Sequence, residues 1–236
     1  MEFHINWYER LPSTNTFLKE MVKLKRQVPS GTVVAAREQT QGRGRLERQW
    51  LTSANENLTF SMLLRNRVDA CKWPSATMAA AVAVNDLLQS EGISAVLKWP
   101  NDVLVGGRKI CGILSEGFSG GLIIGIGLNV NMKSAGHIDQ PATSMLIETG
   151  ERRNIDELLG KLLTYLDLRL GQWLQGGFPS IRKNWDEKVP DIGKPVTVSD
   201  GGSMRTGILR GFGENGELLL EENGALSSIW AGDLSV

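Results

Sequence analysis

The chain has 236 residues, 41% apolar and 22% charged, which fits one large globular domain or a medium one with an appendage and excludes disordered and membrane-spanning classes. Its 26 Lys and Arg balance 26 Asp and Glu, so no broad nucleic-acid surface is expected and a basic cluster reads as a local site. Cys71, Cys111, His4 and His137 lack ligand-like spacing, which argues against a disulfide framework or a zinc site.

The N-terminal stretch has no apolar h-region, and no apolar run approaches the ~18 residues of a membrane span. A cytoplasmic protein without membrane contact is therefore expected. Ser13 is placed to cap a helix whose apolar positions Phe17, Met21, Leu24 and Val28 follow the 3.6-residue period and stop before Pro29 and Gly31. TVVAARE (32–38) and NLTFSMLLR (57–65) read as strands, joined by a long connection. Pro74 suits the first turn of an alanine-rich helix that Gly92 stops.

Three strands follow: AVLKWPNDVLV (95–105), RKICGILSE (108–116) and LIIGIGLNV (122–130). The Gly106-Gly107 and 119–121 turns between them are so short that the strands must form an antiparallel meander. Asn154, with Glu157 as its capping-box partner, opens a long helix whose apolar face includes Leu158, Leu162, Leu166 and Trp173, ending at Gly176 and Gly177. A shorter helix spans Ile181 to Lys188. Beyond Pro190, short β-like runs punctuated by DGG, GENG and ENG suggest a small five-stranded barrel. The chain divides accordingly into a unit of residues 1–188 and one of 189–236. The fold class is α+β, a mixed or largely antiparallel central sheet packed with helices plus a small β-barrel.

A two-residue turn at Gly106-Gly107 would pair Leu104 with Lys109 and Asp102 with Cys111; a symmetric second turn would set Cys111 opposite Asn129 and Lys109 opposite Asn131. Alternation then brings Asp102, Lys109, Asn129 and Asn131 out on one face, as a ligand patch or as a solvated sheet face. The connection between the second and third of the predicted strand-helix elements holds EQTQGRGRLERQW (38–50). Its glycines let backbone approach an anion, and Arg43, Arg45 and Arg48 are planar, permanently charged forks for phosphate or carboxylate. A solvated basic loop and an RNA-binding arginine-glycine segment are the alternatives; no recurrent RGG tract favours the latter. Walker A, dinucleotide and GxSxG signatures are absent.

Taken together, STN (13–15), EQTQGRGR (38–45) with Trp50, KWPNDV (98–103), RKICGIL (108–114) and GIGLNVN (125–131) resemble the biotin protein ligases, in order and spacing along nearly the whole chain. The resemblance implies a class II synthetase-like catalytic domain with an SH3-like C-terminal domain. It implies an ATP-dependent enzyme that makes biotinyl-5′-adenylate, then biotinylates one lysine of the biotin carboxyl carrier domain of acetyl-CoA carboxylase or a related carboxylase. Carried over, Lys109, Arg43, Arg45 and Asp102 are the catalytic positions. Ser13, Thr14, Asn15, Gln39 and Gly42, with Arg43, Arg45 and Lys109, would hold biotin; Arg45, Arg48, Trp50, Asn101, Lys109 and Asn129 would hold ATP or the adenylate. Mg²⁺ is expected with ATP, near Asp102, without a cluster of protein ligands of its own. Trp73 and Trp99 read as core.

The resemblance departs at Glu47, where similar loops carry glycine. The STN motif within the first fifteen residues leaves no winged helix, so DNA binding is not expected, and self-association through the central sheet is a family expectation only. A lipoate or octanoyl ligase or transferase, and a non-catalytic biotin- or partner-binding protein, stand as the alternative functions.

Overall fold

The computed structural model describes residues 1–24, 27–45, 48–50, 52–65, 69–118, 120–134, 141–200 and 202–235. Glu47, Ser119 and His137, on which parts of the sequence reading fall, lie outside them.

The chain starts with a strand that the sequence reading missed. β1 (His4–Leu11) runs parallel to β2 (Thr32–Gln39), with His4 opposite Thr32 and Leu11 opposite Gln39. It is the outermost strand of its sheet and mostly exposed, so it needs no strong apolar alternation and is held by pairing with residues far along the chain. Between the two strands runs α1 (Thr14–Leu24), whose first turn receives a hydrogen bond from Thr16 N to Ser13 Oγ at 3.4 Å.

β3 (Asn57–Leu64) is buried throughout and lies between β2 and β7 (Gly121–Asn129). α2 (Trp73–Ser90) separates them in sequence; it carries Pro74 in its first turn and buries thirteen residues from Ser75 to Leu88. The expected single strand over 95–105 is a hairpin instead, β4 (Val96–Lys98) and β5 (Asp102–Val105), with Lys98 opposite Asp102 and a cis Trp99–Pro100 peptide in its turn. β6 (Arg108–Phe118) completes a seven-stranded sheet of order β1-β2-β3-β7-β6-β5-β4. Apart from the parallel β1/β2 pair, its ladders are antiparallel.

Positive φ at both Gly106 and Gly107 gives the tight turn expected there, and Val105 pairs with Arg108 and Leu104 with Lys109 as the sequence predicts. The register then shifts between Val103 and Leu104, so Asp102 opposes Gly112 rather than Cys111. One residue of β6 is extra at this bulge, and everything beyond it moves by one. The β6/β7 ladder is separately one residue from the expected register, closing with Phe118 opposite Gly121, so Cys111 faces Leu128, not Asn129, and Lys109 bridges to Ala142, not Asn131.

The two faces of the sheet do different work. On one, α2 and α4 (Ile155–Gly176) cover the main core. Asn154 caps α4 as predicted: Oδ1 accepts from Asp156 N at 2.9 Å, and Nδ2 donates to Glu157 Oε1 at 3.1 Å. Such a cap is worth ~1 kcal/mol. The α4 stripe of Leu158, Leu159, Leu162, Leu163, Leu166, Leu170 and Trp173 is buried, and Trp173 Nε1 donates to Ser75 Oγ on α2 at 2.9 Å. On the other face, α1 covers only a small cluster that includes Leu18, Leu63 and Ile123. That leaves the rest of this face for a cavity.

Two short helices, α3 (Met145–Thr149) and α5 (Arg182–Asp186), flank α4 in sequence. The last five strands are β8 (Pro195–Ser199), β9 (Met204–Phe212), β10 (Leu218–Glu222), β11 (Ala225–Ile229) and β12 (Asp233–Ser235). They form an antiparallel sheet of order β11-β10-β9-β8-β12. Its end strands are not paired with each other among the described residues, so the expected barrel is an open sheet here. Val196, Leu209, Phe212 and Leu218 join the main core cluster, and Trp99 Nε1 donates to Gly216 O at 3.1 Å. The two sheets share one apolar interior.

Candidate active site

A cavity of about 430 Å³ opens on the α1 face of the large sheet, within the usual range for a small-molecule site. Its floor is made of glycines. Gly112 lies opposite Gly127, and Leu114 opposite Gly125, across the β6/β7 ladder. The Trp50 indole lies directly on that floor: a Cβ on Gly127 would fall 2.6 Å from Trp50 Nε1, and one on Gly112 3.1 Å from Trp50 Cζ3. A Cβ on Gly125 would fall 2.8 Å from Asn15 Cγ. The absent side chains therefore set the depth of the site.

The arginine-rich segment folds over this floor. Trp50 N donates to Gly42 O at 2.9 Å and Gly44 N to Arg48 O at 2.7 Å, and Arg43 bridges Gln49. Gly42 has a structural reason to be glycine, because a Cβ there would collide with the Trp50 carbonyl.

At the α1 end of the cavity the side chains are neutral. Gln39 Oε1 accepts from Thr14 N at 2.8 Å and from Thr14 Oγ1 at 3.1 Å. Ser61 Oγ, fully buried, lies 2.7 Å from Thr14 Oγ1 and 2.5 Å from Asn15 Oδ1. These bonds fix the orientation of each donor and acceptor before a ligand arrives.

Charge gathers at the other end. Lys109 Nζ stands 2.6 Å from Asp102 Oδ1, an ion pair whose angles leave that buried oxygen without an aligned hydrogen-bond donor. Lys109 Nζ is also 5.8 Å from the Trp50 ring centre. The bulge opposite Val103 and Leu104 is what brings Lys109 and Gly112, three residues apart, to the same cavity. Arg45 donates to Asn101 Oδ1 at 3.0 Å, to Gly232 O at 3.1 Å and to Asp233 Oδ1 at 3.3 Å. Arg48 pairs with the other oxygen of Asp233.

Twelve of the thirteen predicted site residues line the cavity: Ser13, Thr14, Asn15, Gln39, Arg43, Arg45, Arg48, Trp50, Asn101, Asp102, Lys109 and Asn129. Gly42 does not; it borders a smaller depression with Arg10, Thr40 and Thr52. Asn131, predicted on the same face, is buried elsewhere: its amide donates to Arg153 O at 2.9 Å and accepts from Arg153 N at 2.9 Å. Asn129 is committed to protein partners, accepting from Asn57 Nδ2 at 2.8 Å and donating to Thr143 O at 2.9 Å. Its direct role is to tie β7 to the segment after residue 141.

The sequence reading missed Asp233, Ser61 and Glu116. Asp233 belongs to the second sheet, and only tertiary packing brings it to the loop. Glu116 had a period-2 signal, since it follows Gly112 and Leu114 on the same face of β6. Partial burial works to raise the Glu116 carboxyl, but the hydrogen bond from Asn15 and the charges of Arg43 and Lys19 outweigh it and hold it below the usual carboxylate range. Cys111 faces the core, where burial pushes its thiol well up. It is not a nucleophile in this site. Among the described residues no three His, Cys, Asp or Glu side chains gather as metal ligands.

The family model for the biotin/lipoate A/B protein ligases matches residues 7–132. Among characterised proteins, the bifunctional ligase/repressor BirA of Bacillus subtilis is 31% identical over 242 residues, covering 99% of this chain and 74% of that protein. The biotin–[acetyl-CoA-carboxylase] ligase of Paracoccus denitrificans is 32% identical over 223 residues, covering 89% and 91%. Among solved structures, the biotin protein ligase of Aquifex aeolicus in complex with biotin and ATP superposes with a TM-score of 0.83 at 30% identity, covering 98% of this chain and 97% of that one. The chain belongs to the biotin/lipoate A/B protein ligase family.

Proposed function

We infer that the protein is an ATP-dependent biotin protein ligase, which joins biotin to AMP with release of pyrophosphate and then passes the biotinyl group to a lysine of a biotin carboxyl carrier domain. One observation carries this reading: a single cavity has a pre-oriented neutral end at Thr14 and Gln39, a cationic end at Lys109 and Arg45, and a flat aromatic wall at Trp50 between them. Biotin has the matching polarity, an uncharged ureido bicycle at one end and a carboxylate at the other. The relatives are named for biotin ligation, and neither a lipoate or octanoyl enzyme nor a non-catalytic binding protein is favoured by them.

The chemistry follows from charge. A carboxylate oxygen of biotin must attack the α-phosphorus of a polyanion as pyrophosphate leaves, so repulsion raises the barrier. We assign Lys109 and Arg45 to neutralise the two reactants where they meet, with Arg48 beside Arg45 on the same Asp233 carboxylate, while Arg43 pairs with Glu116 at the α1 end. Each of these cations has a carboxylate partner within the protein: Asp102 for Lys109, Asp233 for Arg45 and Arg48, Glu116 for Arg43. Substrate oxygens would replace those partners rather than fill an unscreened positive pocket. We assign Trp50 to cover the adenylate, and Ser13, Thr14, Asn15 and Gln39 to the bicycle. In the second step the lysine amine of the carrier attacks the acyl carbon, AMP departs, and we assign Asp102, in the cavity lining, to accept the surplus proton.

Mg²⁺ enters this reading with ATP. The lone Asp102 beside Lys109 suits a metal held chiefly by phosphate oxygens and water better than a protein cage. We place the catalytic unit in residues 1–188 and the C-terminal unit in 189–236, in the cytoplasm where ATP and the carboxylase meet. The uncovered edge strand β1 supports self-association through the large sheet. No helix among the described residues is long and apolar enough to cross a membrane.

The test is direct: purified protein with MgATP should catalyse pyrophosphate exchange with biotin and not with lipoate, and mass spectrometry of a carrier domain should then show one biotinyl addition. Exchange driven only by lipoate, or none with either acid, sinks the reading.

A further inference from the structure

Glu116 stands just outside the cavity lining, at the end away from Lys109. It lies seven residues further along β6, so the two ends of the site are ~20 Å apart along the strand. Its Oε2 accepts from Asn15 Nδ2 at 3.0 Å, while Oε1 lies 3.3 Å from Lys19 Nζ and 3.5 Å from Arg43 Nη1. Asn15 and Lys19 are one turn apart on α1, and the Glu116 side chain is only 17% exposed. This carboxylate thus joins the first turn of α1, the strand floor and the arginine loop at one point. Asn15 has no freedom left, since its Nδ2 also donates to Leu114 O at 3.2 Å and its Oδ1 faces Ser61.

We propose that Glu116 is a positioning residue that determines which end of biotin enters: by pairing Arg43 and clamping Asn15, it keeps an unpaired guanidinium out of the α1 end of the cavity and holds that end in shape for the neutral bicycle. Without it, Arg43 would present an unpaired guanidinium beside Thr14 and Gln39, and a carboxylate would compete to bind there in the reverse sense. The inference rests on the biotin ligase reading above.

The experiment measures KM for biotin, KM for ATP and kcat in pyrophosphate exchange. Glu116→Gln should raise KM for biotin by on the order of tenfold or more, the usual scale for losing a charged hydrogen-bonding partner, with KM for ATP and kcat within about threefold. The double variant Glu116→Gln/Arg43→Gln, which removes both members of that pair and leaves the net charge there as it is in the wild type, should bring KM for biotin back toward the wild-type value, as a purely structural role would not. If Glu116→Gln does not fold, the double variant is read alone, and a tenfold rise there overturns the proposal. Wild-type exchange with an unmoved biotin KM in Glu116→Gln, or an equal rise in both KM values, overturns this inference and leaves the function intact. Wild-type protein without biotin-dependent exchange overturns both.

Discussion

Arg45, on the loop over the cavity, and Asp233, on the last strand of the second sheet, form an ion pair at 3.3 Å, with 22% and 29% of their side chains exposed. A residue of the second sheet therefore borders the cavity and holds its cover. Arg48 shares the same carboxylate. Pairs this exposed contribute ~1 kcal/mol or less, enough to order a loop but weak enough for phosphate oxygens to displace.

Asp233→Ala should loosen the loop without unfolding the protein. Losing ~1 kcal/mol of local stability multiplies the open population about fivefold. Limited trypsin digestion should then cut faster after Arg43, Arg45 or Arg48, and biotin with ATP should restore protection. Identical cleavage rates in variant and wild type would remove Asp233 as a latch. In parallel, Arg45→Ala should release the adenylate faster with little change in melting temperature, read by trapping the released intermediate.

Gly127→Ala should damage the site more than the fold. The added methyl would overlap the Trp50 indole, and overpacking of this kind costs ~1–3 kcal/mol when the neighbours are fixed. Trp50 sits on a loop and would move instead. We expect exchange activity to fall by about 10²-fold while the melting temperature drops by only a few degrees. Full activity in this variant would mean that the indole has no defined seat on the floor.

Lys109→Gln separates the two half-reactions. Formation of the adenylate should slow by roughly 10²- to 10³-fold, because the preorganised ammonium is gone. Transfer from supplied biotinyl-adenylate to a carrier domain should suffer far less, since the acyl group is already activated. Equal losses in both assays would place Lys109 outside the first step.

Acid should weaken the fold through Glu91. The hydrogen bond from Lys161 chiefly, and that from Arg153, hold its carboxyl below the ordinary value of 4.5 against partial burial. A depressed folded value means that the stabilisation is fully present above about pH 4.5 and is lost as pH falls through the folded value. Glu91→Gln should therefore melt below wild type near neutral pH, and the gap should close under acid conditions. Thermal melts of both proteins from neutral pH down to about pH 3 read this; a gap independent of pH would refute it.

Local chemistry was enough to read much of this molecule from its sequence. The Asn154 cap and the apolar stripe of α4 are set by neighbours within a few residues, as is the Gly106-Gly107 turn, and all three formed as read. The residues that line the cavity were legible because their motifs resemble one family in combination, although the alternation argument alone mispaired the strands. A single bulge opposite Val103 and Leu104 turned Cys111 off the site face and kept Lys109 on it, while Asn131, past the end of β7, is taken up by Arg153, and a bulge reflects packing on both sides of a sheet rather than strand propensity. β1 escaped notice for a related reason: an exposed edge strand is defined by the distant β2 that it pairs with. What only tertiary structure decided is the partner of each cation. Lys19, Arg43, Arg45 and Arg48 meet Glu116 and Asp233 across 73 to 188 positions of chain, and Coulomb attraction acts through space whatever the separation in sequence.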